Sequence, residues 1–198
     1  MTIRFRSTLA LFSSLLIAFA PSGLAEEETQ NSSAKKLTEL ILLPTIHGRH
    51  LKSKSYSLER LEEVMRAIKP EIVCSEITPP SLKVFDQGEK DRRLSLFPEY
   101  TKVVLPLRKE LGYEVIPCSA WTKEVNFTSV GVEKMNEAHF GLIAQALDEL
   151  EGKGKRVLVT FGGGHIDGLL GMLRLRKDLK IVDYRPTLKK ALKEDGKY

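Results

Sequence analysis

Short apolar runs alternate with segments of helical periodicity along most of this chain, and this alternation constrains the fold more than any other feature. Five runs have the length and the branched side chains of buried strands. They cover residues 39–45, 71–77, 113–117, 156–161 and 179–183. Each connection between them is long enough for a crossover helix, which parallel neighbouring strands require. The pattern predicts an α/β fold of three layers, in which a mainly parallel sheet of about five strands is flanked by helices.

Four helices are expected in the connections. Ser57 is a good N-cap for the first, and Pro106 predicts a kink or a late start in the second. The third helix carries His139 on a stripe with apolar residues, which favours a core histidine that lies outside any site. The expected helices cover about 58–69, 98–111, 132–150 and 165–177.

The N-terminus has the composition of an export signal. Arg4 and Arg6 precede an apolar run over 9–20, and small residues follow at 23–25. Because this run is shorter than the roughly 20 residues of a membrane span, we expect a cleaved signal peptide rather than an uncleaved anchor. The mature protein is therefore expected in the periplasm or outside the cell, without a stable membrane anchor.

Composition and signal together predict the domain organisation. The chain has 198 residues, of which 42% are hydrophobic and 29% are charged. These values are ordinary for a globular protein and exclude a disordered chain. The expected segments are a signal peptide over 1–25, a flexible linker over 26–37, a single α/β domain over 38–188 and a charged tail over 189–198.

The net charge is too small to indicate nucleic-acid binding. The formal charge of the chain is +5, and setting aside Arg4 and Arg6 of the signal leaves +3. The sequence also contains no basic stripe interleaved with aromatic residues, which nucleic-acid-binding surfaces commonly have. A peptide or a small molecule is therefore the expected partner.

Histidines and a carboxylate follow three of the five predicted strands. His47 and His50 lie just past the first strand, and Glu76 ends the second. His165 follows the fourth strand and its run of glycines. Because the carboxyl ends of parallel strands meet at one edge of the sheet, we expect His47, Glu76 and His165 to share a pocket.

Two chemistries fit this set of residues. Histidines with one carboxylate are typical ligands of catalytic zinc, manganese and iron. The expected metal ligands are His47, Glu76 and His165, with His50 as a further candidate. In the alternative without a metal, one histidine is the general base that activates water while Glu76 orients it. The residues leave this choice open.

Three further residues are candidates for substrate binding. Gly163 and Gly164 lie at the start of the fourth helix, where exposed amides favour an anion or a developing oxyanion. Arg185, after the fifth strand, is a candidate for binding a substrate carboxylate. The glycine spacing does not fit a nucleotide-binding loop, and the chain contains no HExxH, CxxC or GxSxG motif.

Two cysteines end the second and third predicted strands. If these strands are neighbours, Cys74 and Cys118 lie close enough for a disulfide, which an oxidising compartment permits. Two buried thiols are the preferred alternative, because cysteine is among the most frequently buried residue types.

The combination of these motifs resembles the TraB/Tiki family and its erythromycin-esterase and ChaN-like relatives. The matching pieces are Thr45-Ile46-His47-Gly48, the strand that ends in Glu76, and Gly162-Gly163-Gly164-His165 followed by Gly168-Leu169-Leu170, and they span about residues 40–173. The resemblance implies that His47, Glu76 and His165 occupy the site positions of the family. Its members include metal-dependent peptidases, metal-independent esterases and haem-binding proteins.

Three hypotheses about function follow. The leading one is an exported TraB/Tiki-like hydrolase of a peptide or ester bond, in which His47, Glu76 and His165 activate water with or without a divalent metal, zinc or manganese. The second is a periplasmic protein that binds haem or a metal through the same histidines. The third is a non-catalytic, structural member of the same fold.

Overall fold

A five-stranded sheet lies at the centre of the computed structural model, which describes residues 35–122, 125–186 and 189. The strands are β1 (Thr38–Thr45), β2 (Ile72–Ser75), β3 (Glu114–Pro117), β4 (Arg156–Gly162) and β5 (Leu179–Ile181). Their order is β3-β2-β4-β1-β5, and every pairing between them is parallel. The predicted α/β fold is therefore confirmed. The predicted signal peptide and nearly all of the predicted linker and charged tail lie outside the described residues.

Within the described residues, five named helices connect or flank these strands. They are α1 (Leu58–Ile68), α2 (Pro79–Asp86), α3 (Leu105–Leu111), α4 (Phe127–Asp148) and α5 (Gly163–Leu173). Ser57 caps α1 as predicted, since its side chain accepts a hydrogen bond from the Arg60 amide. Helix α2 has no counterpart among the helices predicted from the sequence pattern. Two short 3-10 turns, His47–Leu51 and Leu94–Leu96, complete the connections near the carboxyl edge of the sheet.

Pro106 delays the start of α3. A π-helical turn over Tyr100–Val104 leads directly into α3, so that Pro106 lies in the first turn of that helix. The missing amide hydrogen of a proline costs little there, because first-turn amides have no partner within the helix. In α4 the backbone is non-helical at Gly131, with φ 75° and ψ 171°. The regular part of α4 therefore begins where the sequence predicted the helix to start.

Two hydrophobic clusters cover the two faces of the sheet. Along β4, Leu158 packs into the cluster that contains α1 and α3, whereas Val157 and Val159 pack into the cluster that contains α4 and α5. This alternation is the period of two that a strand buried on both faces requires. The sheet is thus the middle layer of three. None of the helices in the described ranges is long and apolar enough to cross a membrane.

Cys74 and Cys118 are both buried and both free. Strands β2 and β3 are neighbours, and Cys74 is paired with Ile116, two residues before Cys118. A hydrogen bond between the two thiols and their burial raise the pKa of Cys74 well above its ordinary value. The structure therefore contains two buried thiols, as preferred from the sequence, and not a disulfide.

Candidate functional site

Three adjacent strands bring the predicted triad together at the carboxyl edge of the sheet. Strand β4 lies between β2 and β1, so the segments that follow these strands are neighbours. His47 Nε2 lies 3.9 Å from Glu76 Oε2, and His165 Nε2 lies 3.6 Å from Glu76 Oε1. Glu76 therefore lies within reach of both histidines, although the three residues come from three separate connections.

Glu76 is a buried carboxylate with a defined orientation. Its side chain accepts a hydrogen bond from the Gly162 amide at 2.6 Å, and its own amide donates to the Thr160 carbonyl and to the Tyr100 hydroxyl. Burial raises the pKa of Glu76 because it disfavours the charged form, and it outweighs the opposing effects of the Gly162 amide and His47. This carboxyl group is consequently a better proton acceptor than an exposed glutamate.

His47 is fixed by a second buried carboxylate. Its Nδ1 donates a hydrogen bond to Glu99 Oε1 at 2.7 Å, and the edge of its ring packs against Phe97. Burial alone would lower the pKa of His47, but the hydrogen bond to Glu99 and the charge of Glu76 together raise it. With the proton on Nδ1, Nε2 of the neutral ring is a proton acceptor that faces Glu76.

The backbone at this edge has two features that allow His47 to approach Glu76 closely. His47 has a positive φ of 51°, a left-handed conformation that is uncommon for residues other than glycine and that recurs at functional sites. Gly162 leaves space for the side chains, because a Cβ at this position would lie 2.4 Å from His47 Nε2 and 3.3 Å from Glu76 Oε2. Any residue larger than glycine at position 162 would separate His47 from Glu76.

His165 lies in the first turn of α5 and is held by α4. Its Nδ1 donates a hydrogen bond to Asn136 Oδ1 at 2.6 Å, which leaves Nε2 directed at Glu76. Gly168 accommodates this contact, since a Cβ there would lie 2.3 Å from Asn136 Nδ2. The pKa of His165 is lowered, chiefly by burial and also by the charge of His47. Burial is therefore the main reason why the neutral form of this ring is favoured.

His139 belongs to this cluster, and the prediction that it lies outside the site is wrong. It is fully buried, as its stripe predicted, but the stripe packs at the carboxyl end of β4, where its ring contacts Phe161 and His165. One ligand atom each of Glu76, His139 and His165 lies within 4.8 Å of the others, so these described residues could hold a metal ion. Burial and the neighbouring His165 lower the pKa of His139 to about 4.

The hydrogen bonds of His139 set a condition for metal binding. Its Nδ1 accepts a hydrogen bond from the Ala120 amide at 3.0 Å, whereas its buried Nε2 has no hydrogen-bond partner among the described residues. A neutral ring that accepts at Nδ1 carries its proton on Nε2. Binding a metal through Nε2 therefore moves the proton to Nδ1 and breaks the Ala120 bond.

The structure places two other predicted site residues elsewhere. His50 is buried, and both of its ring nitrogens are used to hold the turn: Nε2 accepts from the Ile46 amide, and Nδ1 donates to the Tyr56 carbonyl. His50 is therefore not part of the metal-binding cluster. Arg185 is exposed, forms an ion pair with Asp183 and does not line the cavity at His47. Its short-range partner, two residues away, keeps it on the surface.

A cavity of about 700 Å³ opens over His47, Glu76 and His165. Gly163 and Gly164 both line this cavity, at the position where the sequence predicts substrate binding. A Cβ on Gly164 would meet no atom within 4 Å, so the first turn of α5 faces open space. The amides of a first helical turn have no acceptor within the helix. The predicted substrate-binding glycines are thus accessible to a molecule in the cavity.

Sequence reasoning missed Glu99, Asn136 and the site role of His139. Asn136 lies three residues before His139 on α4, and two polar residues on one mostly apolar helix face are a signal that was available. For Glu99 there was no comparable signal, because its partner His47 is 52 residues away. Only the packing of the π-helical turn against the sheet brings them together.

No model of a protein family, no curated protein and no solved structure matches this chain.

Proposed function

We propose that this protein is an exported hydrolase of ester or peptide bonds, of the TraB/Tiki type. The observation that carries the proposal is the pair formed by His47 and Glu99, with Nε2 of the histidine directed at Glu76 on the wall of an open cavity. A histidine whose Nδ1 proton is held by a carboxylate has its acceptor nitrogen fixed in position, as a general base requires.

In the proposed reaction, a water molecule between His47 and Glu76 attacks the carbonyl carbon of the substrate. His47 Nε2 takes a proton from that water as the new carbon–oxygen bond forms, and Glu99 stabilises the resulting imidazolium. The amide of Gly164 donates to the developing oxyanion. When the tetrahedral intermediate collapses, the bond to the leaving alcohol or amine breaks, and His47 returns its proton to the leaving group.

The roles of Glu76 and His165 depend on whether a metal is present. Glu76, His139 and His165 would hold a divalent ion such as zinc or manganese, and a bound ion of this kind polarises a carbonyl or lowers the pKa of water. Without an ion, Glu76 orients the water. Nε2 of neutral His165, a further acceptor, limits the directions in which the hydrogen atoms of that water point. The two versions share Glu76 and His165, but only the version with an ion uses His139, and they differ in metal content.

A hydrolase assay combined with metal analysis tests the proposal. We expect the purified protein to hydrolyse members of a panel of nitrophenyl esters and short peptides, and His47→Ala and His165→Ala to lower turnover by about 100-fold or more. Lys109→Ala, an exposed position on α3, is the control and keeps the wild-type rate. Wild-type rates in the His47→Ala variant would refute the proposal.

A metal-binding protein without catalysis is the second candidate, and the orphaned Nε2 of His139 favours it. A buried polar atom without a partner is costly, and a bound ion would satisfy Nε2 once the ring proton has moved to Nδ1. One ion per chain, lost in His139→Ala, together with no hydrolysis in the ester and peptide panel, would support this candidate over the hydrolase. The haem alternative is tested on the same sample, since haem gives a strong visible absorption band.

Export is part of the proposed function. Mass spectrometry of protein recovered from the periplasm or the medium should show a chain that starts at or near Glu26. An intact Met1 on exported protein would contradict the cleaved signal peptide.

A further inference from the structure

A second cavity of about 360 Å³ adjoins the site and is mostly apolar. It shares Glu76, Phe97 and Trp121 with the larger cavity, so the two cavities are adjacent at these side chains. Ile77 and Leu94, both buried, and Leu96 supply most of the remaining apolar wall. Its volume is at the low end for ligand pockets, which suits one part of a substrate rather than a whole large ligand.

The position of Phe97 relates this second cavity to the reacting groups. The Phe97 and His47 rings are 4.8 Å apart in an edge-to-face arrangement. An apolar group in the second cavity therefore lies next to the proposed general base, and a carbonyl carbon attached to that group would lie close to Glu76. This arrangement fits the acyl part of an ester or amide, because the acyl group carries the carbon that water attacks.

Positive charge surrounds the same two cavities. Arg49 and Lys52 line the larger one, and Arg93 lines the smaller one. Of the described residues that line either cavity, Glu76 is the only carboxylate, and it is buried. Arg49 and Lys52 are exposed, and the ion pairs of the described residues do not include them. These two cations are thus available to an anionic group in the larger cavity.

We infer that the substrate is an amphipathic anion, namely an ester or amide whose apolar acyl group occupies the second cavity and whose leaving group carries a carboxylate or phosphate that binds Arg49 and Lys52. This inference rests on the proposed hydrolase function for the reaction, but the recognition of the two parts can be measured without any turnover. Burial of the acyl group would supply affinity, and the two cations would select for negative charge.

Binding is tested through Trp121, which is the single tryptophan of the chain and lines both cavities. Octanesulfonate cannot be hydrolysed, and its binding should change the fluorescence of Trp121 in a way that saturates as its concentration rises. Octanol should bind at least tenfold more weakly. The double variant Arg49→Glu, Lys52→Glu should weaken octanesulfonate binding by at least tenfold. Lys54→Glu, an exposed lysine that lines neither cavity, makes the same kind of charge change and should not weaken it.

Three results would overturn the inference: no saturable change with octanesulfonate, equal binding of octanol, or equal weakening by Lys54→Glu and the double variant.

The kinetic counterpart compares octanoyl and acetyl esters that share one carboxylated leaving group. Leu96 is 67% exposed, so Leu96→Glu should fold normally while placing a charge at the apolar cavity. It should lower the ratio of kcat/KM for the octanoyl ester to that for the acetyl ester by about tenfold, and an unchanged ratio would contradict the assignment of the acyl cavity.

The two proposals fail in different ways. Selective binding of octanesulfonate without hydrolysis of any ester would refute the hydrolase and leave the ligand class in place. Hydrolysis of esters without preference for chain length or charge would leave the hydrolase in place and refute the ligand class.

Discussion

The Glu99 carboxylate lies 2.7 Å from His47 Nδ1, and its other oxygen is buried without a hydrogen-bond partner among the described residues. A buried carboxylate whose oxygen accepts a hydrogen bond from a histidine constrains both the orientation and the basicity of that ring. Because His47 faces the cavity and Glu99 does not line it, Glu99 acts through His47 and is a positioning residue.

Replacing Glu99 by glutamine should separate charge from geometry at this pair. In Glu99→Gln the amide oxygen can still accept the Nδ1 proton, but the charge that raises the pKa of His47 is gone. We expect a lower pKa of His47 in an NMR titration, and a fall in turnover on the order of 10- to 100-fold, as is common for outer partners of site histidines. The acid limb of the pH–rate profile should move to lower pH. An unchanged His47 titration would contradict this role for Glu99.

Gly168 and Gly171 form a matched pair of substitutions on α5. A Cβ on Gly168 would lie 2.3 Å from Asn136 Nδ2, whereas one on Gly171 would meet nothing within 4 Å. Gly168→Ala should therefore push the Asn136 side chain away from His165 and cost about 1–3 kcal/mol, because a buried donor loses its acceptor. Gly171→Ala should be neutral or stabilise the helix by up to about 1 kcal/mol.

Thermal unfolding and the His165 NMR signal measure the two effects of this pair. The His165 ring resonances should shift in Gly168→Ala and stay in place in Gly171→Ala. Equal behaviour of the two variants would mean that the Asn136 contact does not position His165.

The contribution of His139 to the free energy of unfolding should fall as the pH drops below about 6.5. The pKa of His139 is lowered from 6.5 to about 4 in the folded protein, so between these values the unfolded chain binds a proton that the folded chain does not. For His139 alone this removes about 2 kcal/mol by about pH 5. His165 acts in the same direction because its pKa is also lowered. Glu76 and His47 act in the opposite direction because their pKa values are raised.

Urea unfolding at several pH values, on protein treated with EDTA, checks this prediction. The comparison of wild type with His139→Phe isolates the contribution of His139, since phenylalanine fills the same space without titrating. The pH dependence should be shallower in His139→Phe. If the two proteins show the same dependence, His139 is not held neutral by burial.

Thiol titration of denatured, unreduced protein should find two free thiols per chain. Both cysteines are fully buried and no disulfide links them in the structure, so oxidants reach them only after unfolding. Partial reaction of the native protein with the same reagent, in the absence of denaturant, would contradict the burial of the two thiols. The absence of free thiols after denaturation would show a disulfide.

Local sequence patterns were enough to predict the strands of the sheet and the edge of the sheet at which the site lies. A strand's apolar period and a helix's stripe are set by neighbouring residues, so the five strands were predicted within a few residues of their observed ends. Parallel pairing then places all carboxyl ends at one edge, which brought His47, Glu76 and His165 together in the prediction. The order of the strands was not predicted, because it depends on which helix packs on which face.

The sequence by itself determined which side chains lie at the ends of strands and which helix faces are buried, because both properties follow from residues close together in the chain. Only the tertiary structure decided which partner each site residue has. Glu99 contacts His47, and Asn136 contacts His165, across separations of 52 and 29 residues. Such contacts depend on how separate elements pack, and the periodicity of one element does not encode the position of another. For the same reason the stripe of α4 predicted that His139 is buried but could not predict that it is buried against His165.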